Sequence, residues 1–169
     1  MTVEIRDVIT PGNEGAFTIG SSEQATSLRE LPDSARKLLD EPVTACLATM
    51  SPLGRAQLTP VWCATDGDVL YLNSGKDRHK DRNLRARPQV TLMLMNPENP
   101  YHWLTSYGRV VDVIDEDDPE RGHLATESID DLSEKYLGQR PYPFRDEGEI
   151  RVRYTVQPEK VVTFGPVGG

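Results

Sequence analysis

Apolar positions in the middle of this chain fall in short runs and alternations, with turn residues between them. VTACLATM (43–50), AQLTPVWCAT (56–65) and DVLYLN (68–73) are rich in β-branched or aromatic residues and are separated by SPLG and TDGD. Such spacing predicts a β-meander. QVTLMLMN (89–96) is apolar at nearly every position, as expected for a central strand buried on both faces. YHWLTSYGRVVDVID (101–115) alternates as one long strand in which Gly108 marks a bulge or bend. EIRVRYTVQ and EKVVTFG are expected to be the closing strands.

Three segments between these runs have helical signals. LPDSARKLLDEP (31–42) starts at Pro32, Asp33 or Ser34 and stops at Pro42. The basic stretch SGKDRHKDRNLRARP (74–88) is rich in helix formers and ends at Pro88. In DDPERGHLATESIDDLSEKYLG (117–138), Asp118 with Pro119 opens a helix and Gly138 closes it. About six or seven short strands and three helices, with tight turns and no βαβ alternation, predict a mainly β (α+β) antiparallel barrel. Residues 1–30 carry Gly12, Gly15 and Gly20 among serines, with little apolar periodicity. They are expected to be an extension, flexible or folded over a partner subunit, outside a single domain at 31–169.

The formal net charge is -8 and the pI about 4.9, which argues against nucleic acid and membrane surfaces as partners. Neither a secretory leader nor an apolar run long enough to span a bilayer is recognisable, so a soluble cytoplasmic protein is expected. Cys46 and Cys63 sit in apolar runs, where cysteine behaves as a small hydrophobe. His79, His102 and His123 lie far apart, without metal-ligand spacing, so no metal site is expected.

Against that acidic background, residues 74–88 hold six lysines and arginines. Read as a helix from Gly75 to Ala86 with Ser74 as N-cap, the segment would present Lys76, Lys80 and Asn83 on one face. Arg78, Arg82 and Arg85 would share the adjoining face, with Leu84 turned to the core. Cations at a helix start suit a phosphate. Local pairs such as Asp81 with Arg85 suit an ordinary solvated helix equally well, and charge counting leaves the two level. Pro60 marks the strand Thr59–Trp62 as an edge or bulge. No nucleophile motif is present and no catalytic residue can be assigned, which points to a bound cofactor as the carrier of any reaction.

KDRHKDRNLRARPQV resembles the K-x-R-N-L-R-x-x-P-x-V signature of the pyridoxamine 5′-phosphate oxidase-like, split β-barrel flavin and deazaflavin oxidoreductases. LLDEPVTACLATMSPLGRAQLTPVW, NPENPYHWLTSYGRV and YLGQRPYPFRDEGEIRV resemble further segments of that family in family order, across about residues 31–165. The N-P-Y and Y-P-F-R segments point to its F420-dependent branch.

The resemblance implies a six-stranded split β-barrel that forms a homodimer, with cofactor clefts at the interface. It also implies a reductase that transfers hydride from reduced F420 to an electron-poor, conjugated small molecule. Its alternatives are an FMN-dependent oxidoreductase or a non-catalytic protein that holds F420, a flavin or a tetrapyrrole. By the same resemblance Arg78, Lys80 and Asn83 contact the phosphate-bearing chain of the cofactor, with Ser74 and Lys76 nearby. Gln57, Thr59, Pro60 and Val61 belong to the strand beside the ring. Tyr101 and Tyr142 are candidate proton donors, and Arg82, Arg85 and Arg87 are candidates for the carboxylates of the F420 tail. The chain departs from the family pattern at His102 and Tyr107, where arginine is common.

Overall fold

A computed structural model describes residues 1–7 and 19–165. Its elements are β1 (Thr2–Asp7), β2 (Ile19–Gln24), a 3-10 turn (Leu28–Glu30), α1 (Asp33–Asp40), β3 (Ala45–Met50), β4 (Ala56–Val61), β5 (Cys63–Thr65) and β6 (Leu70–Gly75). They continue with α2 (His79–Ala86), β7 (Gln89–Met95), β8 (Trp103–Asp115), α3 (His123–Leu137) and β9 (Arg151–Gly165). The strands pair in the order β2-β1-β9-β8-β7-β3-β4, with β6 also on β9 and β5 on β6.

Two changes of partner turn this sheet into a split β-barrel. The run AQLTPVWCAT is broken at Trp62, so that β4 pairs with β3 while β5 pairs with β6. These two strands end the hydrogen-bonded order on opposite sides, yet they are consecutive in the chain. The expected pair of closing strands is instead one strand of 15 residues. On one edge β9 pairs antiparallel with β6 over 151–156, then parallel with β1 over 160–165; on the other it pairs with β8. Pro158, which has no N–H to donate, stands opposite Gly108 at the register shift of the β8–β9 pair. A Cβ on Gly108 would lie 2.3 Å from the Gln157 carbonyl oxygen, so the bulge requires glycine. The seven strands β3–β9 and three helices form the expected mainly β class.

Alternate strand residues fill the core. Leu47, Leu70, Leu72, Leu92, Leu94, Leu104, Val152 and Val156 are essentially inaccessible, and α1 adds Ala35, Leu38 and Leu39 from one face. Each such large side chain contributes roughly 1.5–3 kcal/mol relative to exposure. QVTLMLMN departs from its expectation: β7 is central, but only one of its faces is fully buried. Its other face carries half-buried Thr91 and Met93, beside exposed Cys46 of β3 and exposed Leu58 of β4 and Tyr107 of β8. Cys63 is buried as expected, whereas Cys46 points outward.

Helix starts also differ from expectation. Ser74 and Gly75 complete β6, and α2 begins at His79 with Arg78 as N-cap. The intervening turn uses Asp77 at φ 64, and its N–H donates to Asp81 Oδ2 at 2.8 Å. Asp118 caps the turn before α3, accepting from the Glu120 and Arg121 N–H groups; Gly138, at φ 66, ends that helix as its sequence predicts.

Candidate functional site

The end of β6 and the start of α2 create a cationic corner. Antiparallel pairing sets Ser74 opposite Val152 and Gly75 opposite Arg151, so β9 brings an arginine into register with the basic segment. The turn at Asp77 then carries the chain back so that Arg78 and Lys80 share a cleft with Ser74 and Arg151. Helix α2 is anchored by buried Asp81, which accepts from Asp77 N–H, from Arg85 Nε at 2.8 Å and from Tyr154 O–H at 2.5 Å. Leu84 enters the core beside it.

Most cations of the segment are already paired. Lys76 Nζ meets Asp115 at 3.0 Å and Asp117 at 2.9 Å. Arg85 meets Asp81 and Asp115, Arg82 donates to the Asp77 carbonyl, and Arg87 donates to the Met50 carbonyl. Arg78 meets Glu149 at 2.6 Å. The acidic run that follows β8 therefore packs against the island: burial opposes ionisation of Asp115, but hydrogen bonds from Arg85 and Lys76 outweigh it and lower its pKa.

Lys80 differs from its neighbours. It is partly buried, and among the described residues it has neither an ion pair nor a hydrogen bond. Burial pushes its pKa below the ordinary lysine value, and the charges of Arg78 and Arg151 push it further the same way. Ser74 Oγ, also buried, lacks a partner too. Arg151 is held by Asn73 Oδ1 at 2.9 Å and Glu149 Oε1 at 3.0 Å, with its guanidinium 5.4 Å from the centre of the Tyr142 ring.

These groups line a cleft of about 390 Å³ with Thr44, Pro60, Val61, Trp62, Asn73, Ile129, Leu132 and Tyr142. Trp62 stacks on Tyr136 at 5.2 Å and meets Tyr142 edge-on at 6.0 Å. Tyr136 O–H donates to the Val43 carbonyl and accepts from Cys63 N–H, which fixes the break between β4 and β5 where Trp62 stands. The size suits a small organic ligand, and the lining combines hydrogen-bond donors with flat apolar walls.

Six residues singled out in the sequence come together here: Pro60, Val61, Ser74, Arg78, Lys80 and Tyr142. Gln57, Thr59, Lys76 and Asn83 are not among the lining residues. Asn83 is buried and donates to Thr49 Oγ1 at 3.0 Å and Gln57 Oε1 at 3.1 Å, tying α2 to β3 and β4. Half-buried Thr59 lies on β4 between Gln57 and Val61. Of the two tyrosines considered, Tyr142 lines the cleft, while Tyr101 is exposed in the β7–β8 connection. His102 is buried between Asn96 and the Ser34 carbonyl, and Tyr107 lies exposed on the outer sheet face. Asn73 and Arg151 escape sequence reasoning, which takes Trp62 only as the last residue of the strand Thr59–Trp62; alternation marks Arg151 as a strand residue, but only the β6–β9 register carries it to Ser74.

The description of the pyridoxamine 5′-phosphate oxidase family matches residues 31–161. This chain belongs to that family. The family's split barrel recurs in solved structures. An F420 reductase is 31% identical with TM-score 0.65, over 78% of this chain and 98% of its own. A conserved hypothetical protein from Mycobacterium tuberculosis is 18% identical with TM-score 0.62, over 85% of this chain and 89% of its own. HutZ, the heme storage protein from Vibrio cholerae, is 18% identical with TM-score 0.54, over 77% and 92%. The last two share the fold alone. No curated protein matches this chain.

Proposed function

We propose that this protein is an oxidoreductase that uses coenzyme F420 to reduce an electron-poor, conjugated small molecule, with the cofactor phosphate held in the cationic cleft. The observation that carries this reading is Lys80, a partly buried ammonium without an anion, placed with Arg78, Arg151 and the unpartnered Ser74 hydroxyl. A buried cation without a counterion is costly, and a phosphate would offset that cost with charge-assisted hydrogen bonds. The residues present therefore fit a phosphate-bearing flavin or deazaflavin. Pro60, Val61 and Trp62 supply a wall suited to a planar ring. Gln57, Thr59 and Asn83 would shape the cofactor side of β4 and α2, and Lys76 would support the corner through Asp115 and Asp117.

When bound, the cofactor supplies hydride chemistry. The chain's own task is to hold a planar donor against an acceptor and to exclude water, which needs no nucleophile. The likeness to an F420 reductase supports F420 over FMN. A homodimer is part of the proposal: Leu58, Met95 and Tyr107 are 66%, 46% and 45% exposed on the outer sheet face. Pro60 of the cleft lies two residues beyond Leu58 on β4, so a partner on that face would border the cleft. Among the described residues, no helix is long and apolar enough to cross a membrane, and action in the cytoplasm is proposed.

Titration of the purified protein with F420 and with FMN, followed by quenching of its two tryptophans, tests the cofactor. Saturable binding of F420 is expected. Tight FMN binding without any response to F420 would overturn the assignment. Oxidation of reduced F420 is then measured across quinones, enones and tetrapyrroles; tight binding without turnover would leave a carrier.

A further inference from the structure

Glu149 is the acidic residue that meets both cleft arginines. Its Oε1 accepts from Arg78 at 2.6 Å and from Arg151 at 3.0 Å, although the residue does not itself line the cleft. Its side chain is only 9% exposed, and its Oε2 is buried without a partner. The room for it is built in: a Cβ on Gly75 would come within 2.7 Å of both Arg78 Nε and Glu149 Oε1. Three cations and one carboxylate leave the corner a formal charge of +2, with the negative charge fixed behind the guanidinium groups.

A fixed charge near a ligand acts in proportion to the ligand's own charge. A carboxylate in this position repels a phosphate monoester dianion about twice as strongly as a phosphodiester monoanion. Hydrogen bonds from Arg78, Lys80 and Ser74 are open to either. We propose that Glu149 is a specificity residue that lowers the preference of the cleft for phosphate monoesters over phosphodiesters. The inference rests on the cleft binding a cofactor phosphate. The three cations favour the dianion by the same rule, so Glu149 narrows the advantage that FMN, a phosphate monoester, would otherwise hold over F420, whose phosphate is a diester.

The test uses two probes that share one ring system: FMN and its monomethyl phosphodiester, titrated into wild type, Glu149→Gln and Glu149→Asp at constant ionic strength and pH 8. In Glu149→Gln, affinity for FMN should rise about tenfold relative to affinity for the diester. Glu149→Asp keeps the charge and should keep the wild-type ratio. Thermal melts of the three proteins separate loss of fold from loss of discrimination. An unchanged ratio in Glu149→Gln, or equal weakening for both probes, would overturn the inference and make Glu149 only a holder of the arginines. Failure of both probes and of F420 to bind wild type would remove the cofactor site itself, and the inference with it.

Discussion

Lys80 owes its importance to what surrounds it. The sequence places six cations in one segment, and the structure finds anions or carbonyl oxygens for five of them. Lys80→Ala should weaken cofactor binding by about 1–3 kcal/mol, the scale of a charge-assisted bond lost from a partly buried site. The melting temperature of the cofactor-free protein should hold steady or rise, because an uncompensated charge is removed. Calorimetric titration and thermal unfolding of the same samples check both. Acidity adds a signed expectation. Burial and neighbouring charge lower the pKa of Lys80 in the free protein, and a bound phosphate favours the charged form and raises it. Binding therefore takes up a proton between the two values, and affinity should fall as pH rises through the free-protein pKa. In Lys80→Met that slope should be absent; an unchanged slope would assign the proton elsewhere.

At the scale of elements, α2 is positioned by buried polar contacts more than by its one core leucine. Asp81 joins it to Tyr154 on β9, and Asn83 joins it to Thr49 and Gln57 on β3 and β4. Asn83→Ala leaves the Gln57 carbonyl oxygen with only its long bond from Thr49 Oγ1, at 3.4 Å, and should cost about 1–3 kcal/mol. For a chain of this length that corresponds to a few degrees in melting temperature. Cofactor affinity should fall as well, through displacement of Lys80. A variant that melts like wild type would show that these contacts contribute little. The presence of this helix and its stop at Pro88 are legible in sequence; its start is not. Ser74 reads as a good N-cap, but pairing of β6 with β9 extends through Gly75 and shifts the helix to His79.

For the whole molecule, the decisive feature is a sheet with apolar residues on both faces and a core on only one. Thr91, Met93 and Met95 alternate outward from β7, beside Leu58 and Tyr107. Exposed apolar faces of this kind mark association surfaces. Met93→Asp should convert a dimer to a monomer in sedimentation velocity and lower cofactor affinity, with secondary structure retained. A wild-type protein that sediments as a monomer at micromolar concentration would remove the dimer from the proposal.

Strand runs, turn residues, the helix stop at Gly138 and the bulge at Gly108 follow from local chemistry: β-branched residues, φ requirements and missing donors act over a few residues, so the sequence by itself determines them. It also determines that a cationic segment exists in an acidic chain. Which cation of the segment stays without an anion or a carbonyl acceptor is decided only by the tertiary structure. Asp115 and Glu149, distant in sequence, neutralise Lys76, Arg85, Arg78 and Arg151 in part, while strand register brings Arg151 to Ser74. Local pairing rules see neighbours three and four residues apart, whereas electrostatics is summed over neighbours in space. That difference is why charge counting left phosphate grip and solvated helix level, and why Lys80 emerges only from the fold.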